Sequence, residues 1–378
     1  MRTIQPATPE ELAAALHEAS AASESICLAG GSSKSAMAGP LPDAAVRIST
    51  AALRRLRQYE PHDLTISVEA GMPWCQLEQI VAENRQMIPL DPPFGSEATV
   101  GGVVAANSSG PRRRLYGTAR DLIIGMTFAT LDGALVQSGG MVVKNVAGLD
   151  MAKLMVGSFG TLAAIAIVNF KLIPMPAHSR TFLREFPGAP EAFAARDEIL
   201  RGVLQPAAID ILNPAASTLC GRTGWLLALR AGGNEALLQR YARELPQYDS
   251  LESAAETAFW QAIREFTPRY LARHPAAAVV RASATLKTLA TLAQTTDAAL
   301  LLRAGSGVAY AHFPEAAAAF QWMAAAEFHA VVEFAPEPER TNSPLWPRPG
   351  SDFETMARIK RLFDPQTLLN RGRLYGRL

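Results

Sequence analysis

From Ala98 to Gly110 the chain reads Ala-Thr-Val-Gly-Gly-Val-Val-Ala-Ala-Asn-Ser-Ser-Gly, with no side chain larger than valine or asparagine. Backbone with so little bulk lets a flat ligand, or another stretch of backbone, come within contact distance. Asn107 alone in this stretch carries an amide long enough to reach out. Tight helix-to-loop packing would use the same residues, so the rest of the chain has to decide between the two.

A second segment points the same way. Residues Leu28-Ala29-Gly30-Gly31-Ser32-Ser33-Lys34-Ser35 read as a strand running into a glycine turn. Glycine permits the positive-φ turns in which successive N–H groups converge, and converging amides form a nest for an anion such as a pyrophosphate. Two familiar phosphate motifs fail. A P-loop needs glycine directly before Lys-Ser, where this chain has Ser33. A Rossmann fingerprint needs a third glycine opening a helix, which is absent here. Gly305-Ser306-Gly307 fails likewise, with Tyr310 at the third position.

Two further segments complete a set. Lys144 to Leu162 holds a short helix ending at Gly157, a C-cap glycine, and Gly160 then opens a strand. Near the C-terminus comes Leu362-Phe363-Asp364-Pro365-Gln366-Thr367-Leu368-Leu369-Asn370-Arg371-Gly372-Arg373. In this order the four segments resemble the FAD-binding domain shared by vanillyl-alcohol oxidase, D-lactate dehydrogenase and glycolate oxidase, over residues 1 to about 176 and 362–373. Ser109 to Arg113, Tyr116-Gly117, Arg120-Asp121 and Val143 to Gly148 resemble, more narrowly, the FAD-binding subunits of glycolate oxidase complexes. Leu149, Ala163 and Arg371 depart from that pattern, where tyrosine, glycine and proline are usual.

The resemblance implies an α+β fold: a two-subdomain FAD-binding domain of the vanillyl-alcohol-oxidase type over residues 1–176, an antiparallel α+β cap over 177–352, and a tail over 353–378 returning to the flavin. It assigns the pyrophosphate to Gly30, Gly31, Ser32, Ser33 and Ser35. It places Thr99, Gly101, Gly102, Asn107 and Gly110 along the flavin, Gly160 and Ile165 at the adenosine half, and Asn370 toward the isoalloxazine. Members that bind FAD covalently do so through His or Cys beside the glycine loop. Ser32 and Ser33 stand there, so non-covalent FAD is expected.

The residues themselves predict local structure. Thr8 caps a helix to Ala19, with Leu12 and Leu16 on one face. Strands are expected at Ser25–Ala29, Ala45–Ser49, Leu64–Ala70 and Thr161–Ile173, with a helix over Pro73–Asn84. A hairpin of Leu122–Leu131 and Ala134–Ser138 should turn at Asp132-Gly133 in a type I′ loop. The second half alternates strands (from Thr181, Ala208, Trp225, Val279, Ala299, Val308 and Ala330) with helices at Asn234–Glu244 and Glu315–Glu327. Pro336–Pro349, with five prolines, reads as an exposed excursion before a last helix, Phe353–Phe363.

Bulk properties remove several function classes. A formal net charge of +1 gives no electrostatic case for nucleic acid. Three cysteines, none in a C-x-x-C pair, cannot build a thiolate cluster or zinc site alone. No disulfide framework and no metal are expected. No run of about 18 apolar residues predicts a membrane span, and the N-terminus does not read as a signal peptide. A cytoplasmic protein is expected, reaching the inner membrane only through partners.

Whether the chain performs chemistry is open at this level. Oxidising a 2-hydroxy acid requires a base and a cationic carboxylate clamp. By resemblance, catalytic members carry Gly-Asp-Gly-Asn-x-His and Glu-His-Gly runs, and neither occurs here. Arg281 is a candidate anion clamp or an ion-pair residue. His312 is a candidate base or a satisfied structural histidine. Arg112, Arg113 and Arg114 form an anion or partner site, or a solvated loop. The expected role is an FAD-binding, electron-relaying subunit working with a catalytic FAD subunit and an iron–sulfur subunit. A self-contained 2-hydroxy acid dehydrogenase and a structural FAD-binding subunit are the alternatives.

Overall fold

The computed structural model describes residues 1–41, 43–142 and 149–378. The expected motif at 143–148 lies outside them.

Three short strands come first: β1 (Arg2–Ile4), β2 (Ile26–Ala29) and β3 (Val46–Ser49). They form a parallel sheet in the order β1-β3-β2. The helix Pro9–Ala21 links β1 to β2. Its start is fixed by Thr8, whose hydroxyl accepts the Glu11 N–H at 3.2 Å. Its buried stripe of Leu12, Leu16 and Ala19 packs on Ile26, Val46 and Ile48, and on Ala129, Ala164 and Ala166 of the next sheet.

The next strands are β4 (Leu56–Glu60), β5 (Thr65–Glu69), β6 (Gln86–Met87), β7 (Ile123–Ala129), β8 (Leu135–Gly139), β9 (Ala164–Lys171) and β10 (Ile173–Pro174). Five make an antiparallel sheet in the order β4-β5-β9-β7-β8, while β6 and β10 pair apart from it. The single strand expected over Thr161–Ile173 is therefore split. Leu172 N still reaches Leu64 O at 2.6 Å, after which Ile173 leaves for Met87. The type I′ turn is also not formed. Gly133 sits at φ +84° but Asp132 keeps a negative φ, and Gly133 N bonds Thr130 O at 3.1 Å. A turn closed by one left-handed glycine needs only that residue, and Asp132 instead accepts from Ala134 N at 3.3 Å.

The second half builds one sheet of eight strands: β11 (His178–Phe186), β12 (Ala208–Leu212), β13 (Trp225–Gly233), β14 (Asp249–Glu252), β15 (Ala278–Ser283), β16 (Ala299–Arg303), β17 (Val308–Phe313) and β18 (His329–Phe334). The order is β14-β11-β13-β12-β16-β17-β15-β18, antiparallel at each pair. Helices Ala189–Arg201, Glu235–Glu244 and Ala316–Ala325 cover one face, burying Phe193, Ile199, Leu238 and Met323 on it. Helices Ser253–Arg264 and Phe266–Arg273 cover part of the other through Trp260, Ile263 and Phe266. The uncovered remainder of that second face becomes a cavity wall.

Pro336–Pro349 is not the exposed excursion expected. It holds a helix, Glu337–Asn342, and buries Arg340 and Leu345. The last helix, Phe353–Phe363, hands the chain back to the first sheet. Lys360 is buried there against Asp364 (2.5 Å) and the carbonyls of Thr161 (2.7 Å) and Leu369 (3.0 Å). Leu369 then bridges Ile26 of β2.

Candidate functional site

The glycine loop leaves the end of β2 and forms one side of a cleft. Gly30, Gly31, Ser32, Ser33, Ser35, Thr99, Gly101, Gly102, Gly160, Ile165 and Asn370 all line it. Close packing dictates glycine at two of these positions. A Cβ on Gly30 would sit 2.5 Å from Thr99 Oγ1, and one on Gly31 would sit 2.5 Å from the Glu97 carbonyl oxygen. Thr99 caps the short helix Val100–Ala105, its hydroxyl accepting Gly102 N–H at 3.3 Å. Ser32 lies at φ +58°, and Arg47 donates to its hydroxyl at 2.6 Å. The N–H groups of Gly31, Ser32, Ser33 and Lys34 take no partner among the described residues. Four consecutive bare amides at the mouth of a cleft suit an anion of pyrophosphate size.

Two arginines hold this loop from behind. Arg373, in the tail, donates to the carbonyls of Lys34 (3.3 Å), Ser35 (3.4 Å), Met37 (2.9 Å) and Gly39. Arg340, in the cap, donates to Ser35 O at 3.2 Å and Gly39 O at 3.0 Å. Burial and the neighbouring Arg340 charge pull Arg373 down to about 10. Lys34 Nζ is buried without a hydrogen-bond partner beside the Phe94 ring, and burial lowers it to about 8 against the pull of Glu265. None of these three was singled out from sequence.

Three expected residues sit differently from the rest. Asn370 lines the cleft at the glycine-loop end, but its amide is spent on Leu28 N (2.7 Å), Leu28 O (3.2 Å) and Phe159 O (2.8 Å). It is a strut between tail and loop. Gly110 lines neither chamber. It packs on Asp91, whose carboxylate is clamped by Arg112 at 2.5 Å. Asn107 lines a second chamber instead of the cleft.

That second chamber is a cavity of about 500 Å³ that shares the lining residues Ala106 and Phe159 with the cleft. Asn107, Ser108 and Ser109 form one wall, and Ser108 Oγ is buried without a partner. The opposite wall is the open face of the eight-stranded sheet. Because alternate residues of a strand share a face, β16 presents Leu301 and Arg303, β15 presents Arg281 and Ser283, and β17 presents Tyr310. From β18 come His329, Val331 and Glu333, and the tail adds Tyr375. Arg281 Nε lies 3.2 Å from Glu333 Oε1, with 31% of the Arg281 side chain still open to the cavity. Burial raises the Glu333 carboxyl while Arg281 opposes the rise. Burial also raises the Tyr310 and Tyr375 phenols.

The three-arginine loop divides its labour. Arg112 pairs with Asp91, Arg114 donates to Pro206 O at 2.8 Å in the cap, and Arg113 lines the cavity. His312 is not a free base. Its two ring nitrogens meet Thr267 Oγ1 at 2.8 Å and Ala299 O at 3.1 Å, and burial lowers it to about 4. The free cysteines are Cys27, Cys75 and Cys220. Among the described residues no cluster of His, Cys, Asp or Glu could hold a metal, and no helix is long and apolar enough to cross a membrane.

Comparison with known proteins fits this geometry. An FAD binding domain matches residues 2–139, and the C-terminal domain of FAD linked oxidases matches residues 348–374. FAD is accordingly the cofactor. Glycolate oxidase subunit GlcE of Escherichia coli (strain K12) is 36% identical over 213 residues, 56% of this chain and 56% of that protein. Glycolate oxidase subunit GlcD of Bacillus subtilis (strain 168) is 29% identical over 161 residues, 43% of this chain and 34% of that one. A mitochondrial D-lactate dehydrogenase [cytochrome] of Arabidopsis thaliana is 29% identical over 172 residues, 46% of this chain and 30% of that one. The chain thus spans 30% to 56% of the length of these three relatives. In fold it is similar to 4-ethylphenol oxidase from Gulosibacter chungangensis, with TM-score 0.75 at 14% identity over 99% of this chain and 89% of that one. Alkyldihydroxyacetonephosphate synthase gives 0.71 at 16% identity, over 97% and 75%. At such identities these two structures speak for the fold alone, the α+β fold of the vanillyl-alcohol-oxidase type.

Proposed function

We propose that this chain, an FAD-dependent oxidoreductase, binds a small 2-hydroxy acid such as glycolate beside its own flavin, as one subunit of a 2-hydroxy acid oxidase or dehydrogenase complex. One observation carries the reading: the bare-amide cleft adjoins, across Ala106 and Phe159, a chamber lined by Arg113, Arg281 and Arg303. The names of the two glycolate oxidase subunits among its relatives support both substrate and complex. A catalytic FAD subunit and an iron–sulfur subunit complete the proposed assembly, peripheral to the membrane through those partners.

In this reading Gly31, Ser32, Ser33 and Lys34 hold the pyrophosphate by their N–H groups, with Gly30 and Ser35 shaping the turn. Thr99, Gly101 and Gly102 make the flat floor, and Gly160 and Ile165 flank the adenosine half. Bound FAD supplies a two-electron acceptor. Arg113 and Arg281 hold the carboxylate of the acid, since guanidinium matches a carboxylate in shape and charge. The Glu333 carboxylate accepts the hydroxyl proton, a role Arg281 cannot take because a guanidinium stays protonated.

A second reading, in which this FAD only relays electrons from a catalytic partner, is favoured by the locked His312 and by the missing histidine runs. Anaerobic mixing of the FAD-loaded chain with glycolate and with D-lactate separates the two. Bleaching of the flavin by the chain alone supports the first. Bleaching that needs the partner subunits supports the relay.

A further inference from the structure

The second chamber has a charge balance that selects among acids. Arg113, Arg281 and Arg303 line it together with Tyr310, and the Arg303 guanidinium lies 5.8 Å from the centre of the Tyr310 ring. Two carboxylates oppose them. Asp210 is ion-paired with Arg303 across β12 and β16, and both are almost fully buried. Burial pushes the Asp210 carboxyl up while the Arg303 guanidinium opposes the rise, and the ion pair sets its charge against that of Arg303. Glu333 pairs with Arg281 in the same way. Arg113 has no carboxylate partner among the described residues and donates only to Ser109 Oγ, at 3.2 Å. The other charged groups at this cavity differ in kind. His329 and Asp352 are exposed, and Arg264 is already bound to Glu78 at 3.0 Å. Among the described residues lining the chamber, Arg113 is therefore the one of these three guanidinium groups without a carboxylate partner, with the Lys34 ammonium buried beyond the wall and also acting on Glu333.

The position of Glu333 is specific. Val279 pairs with Phe334 and Val280 with Val332, so Glu333 is the extra residue of a β-bulge between β15 and β18. A bulge leaves its extra residue without a cross-strand partner, and Glu333 keeps the chamber face it shares with Val331 and His329. Here the bulged residue's carbonyl accepts Ala38 N–H at 2.7 Å, which ties its backbone to the segment following the glycine loop. The carboxylate is thus fixed against Arg281 by two elements at once.

We propose that Glu333 is a specificity-determining residue that limits the chamber to monocarboxylates, by cancelling the Arg281 charge and leaving only Arg113 to be neutralised by substrate. This rests on the reading that the acid binds in this chain. A dianion entering such a site brings one charge beyond what the site can match, at a distance where an extra charge weighs heavily in a half-buried setting.

The test is equilibrium binding by calorimetry at pH 8, on the FAD-loaded chain, with oxamate as the monoanion and oxalate as a dianion of nearly the same size. The wild type should bind oxamate at least about tenfold more tightly than oxalate. Glu333→Gln should raise oxalate affinity about tenfold or more and close or invert that ratio, while Arg281→Met should weaken both acids. Ser283→Asp leaves the ion pair intact and adds a negative charge to the same sheet face. It should weaken oxamate binding about tenfold, with an unchanged flavin spectrum reporting an intact fold. An unchanged oxamate-to-oxalate ratio in Glu333→Gln, with both acids still binding, would overturn the assignment of Glu333 and spare the proposed function. Failure of the wild type to bind either acid would overturn both.

Discussion

Gly31→Ala is the smallest change that probes the cofactor cleft. The new Cβ would stand 2.5 Å from the Glu97 carbonyl oxygen and 3.2 Å from Thr99 Cγ2. Glu97 cannot readily yield, because its own N–H is bonded to Phe94 O at 3.0 Å and Thr99 anchors the next helix. The loop must then retreat by roughly 0.5–1 Å to reach ordinary contact distance. Hydrogen bonds weaken quickly beyond about 3.2 Å, so two of the four proposed amide bonds to the pyrophosphate should be lost. At about 1.5–3 kcal/mol for each bond to a charged acceptor, the loss is about 3–6 kcal/mol. That corresponds to a rise in FAD Kd of roughly two to four decades. The assay is fluorescence-quench titration of the apoprotein with FAD. A melting curve provides the companion measurement, since a ligand at a thousandfold its Kd stabilises the folded state by about 4 kcal/mol. Gly140→Ala is the control: a Cβ there meets nothing within 4 Å among the described residues, and FAD affinity should not change. A Gly31→Ala protein that binds FAD within threefold of the wild type would refute the reasoning.

Three further outcomes are expected. With Ser32 and Ser33 beside the glycine loop, acid precipitation should release all flavin to the supernatant, and flavin retained by the washed pellet would contradict non-covalent binding. Arg373→Gln removes the donor that holds the carbonyls of Ser35, Met37 and Gly39. It should raise the FAD Kd by at least about tenfold, the equivalent of one lost charged hydrogen bond, and a normal Kd would show that Arg340 suffices. His312 is held neutral with its pKa lowered to about 4 from 6.5. The unfolded chain therefore binds the proton more readily, so stability is complete above about pH 6.5 and falls by roughly 3 kcal/mol as pH drops toward 4. Urea midpoints across that window should lose most of their slope in His312→Gln, and an unaltered slope would assign the loss elsewhere.

The cleft was legible because its signals are local. A strand that ends in two glycines and two serines declares its turn within a few residues, and Ala98 to Gly110 declares its lack of bulk in the same way. Helix Pro9–Ala21 was legible for the same reason, through Thr8 and the Leu12–Leu16 spacing. The errors came where distant context decides. Ile173 and Pro174 leave the sheet because Met87 and Gln86 offer partners. Pro336–Pro349 looked exposed because prolines suggest a solvent loop, yet Arg340 finds buried carbonyls some 300 residues earlier in sequence. Arg281 was visible as a charge within Val279-Val280-Arg281-Ala282. The same signal, a lone glutamate in Val331-Val332-Glu333-Phe334, could have exposed Glu333 but was not read.

What no local pattern could supply is the meeting of those two residues. Strands β15 and β18 are separated in sequence by the helix Thr288–Leu292, β16, β17 and the helix Ala316–Ala325, and their pairing includes the bulge at Glu333. In a regular antiparallel pair, Val331 opposite Arg281 would place position 333 opposite Val279. The bulge instead gives Val279 to Phe334, so position 333 stays on the face of Arg281 but has no partner across the strand pair. A bulge leaves almost no mark in sequence, because its cause is the pairing partner and not the residue itself. Here that partner is double: β15 on one side, and on the other Met37 and Ala38, which bridge Phe334 and bond the Glu333 carbonyl. The segment after the glycine loop therefore helps set the geometry of the acid chamber. Cofactor cleft and chamber share a backbone contact, so a change that displaces residues 34–38 should be felt at Glu333 as well as at the pyrophosphate.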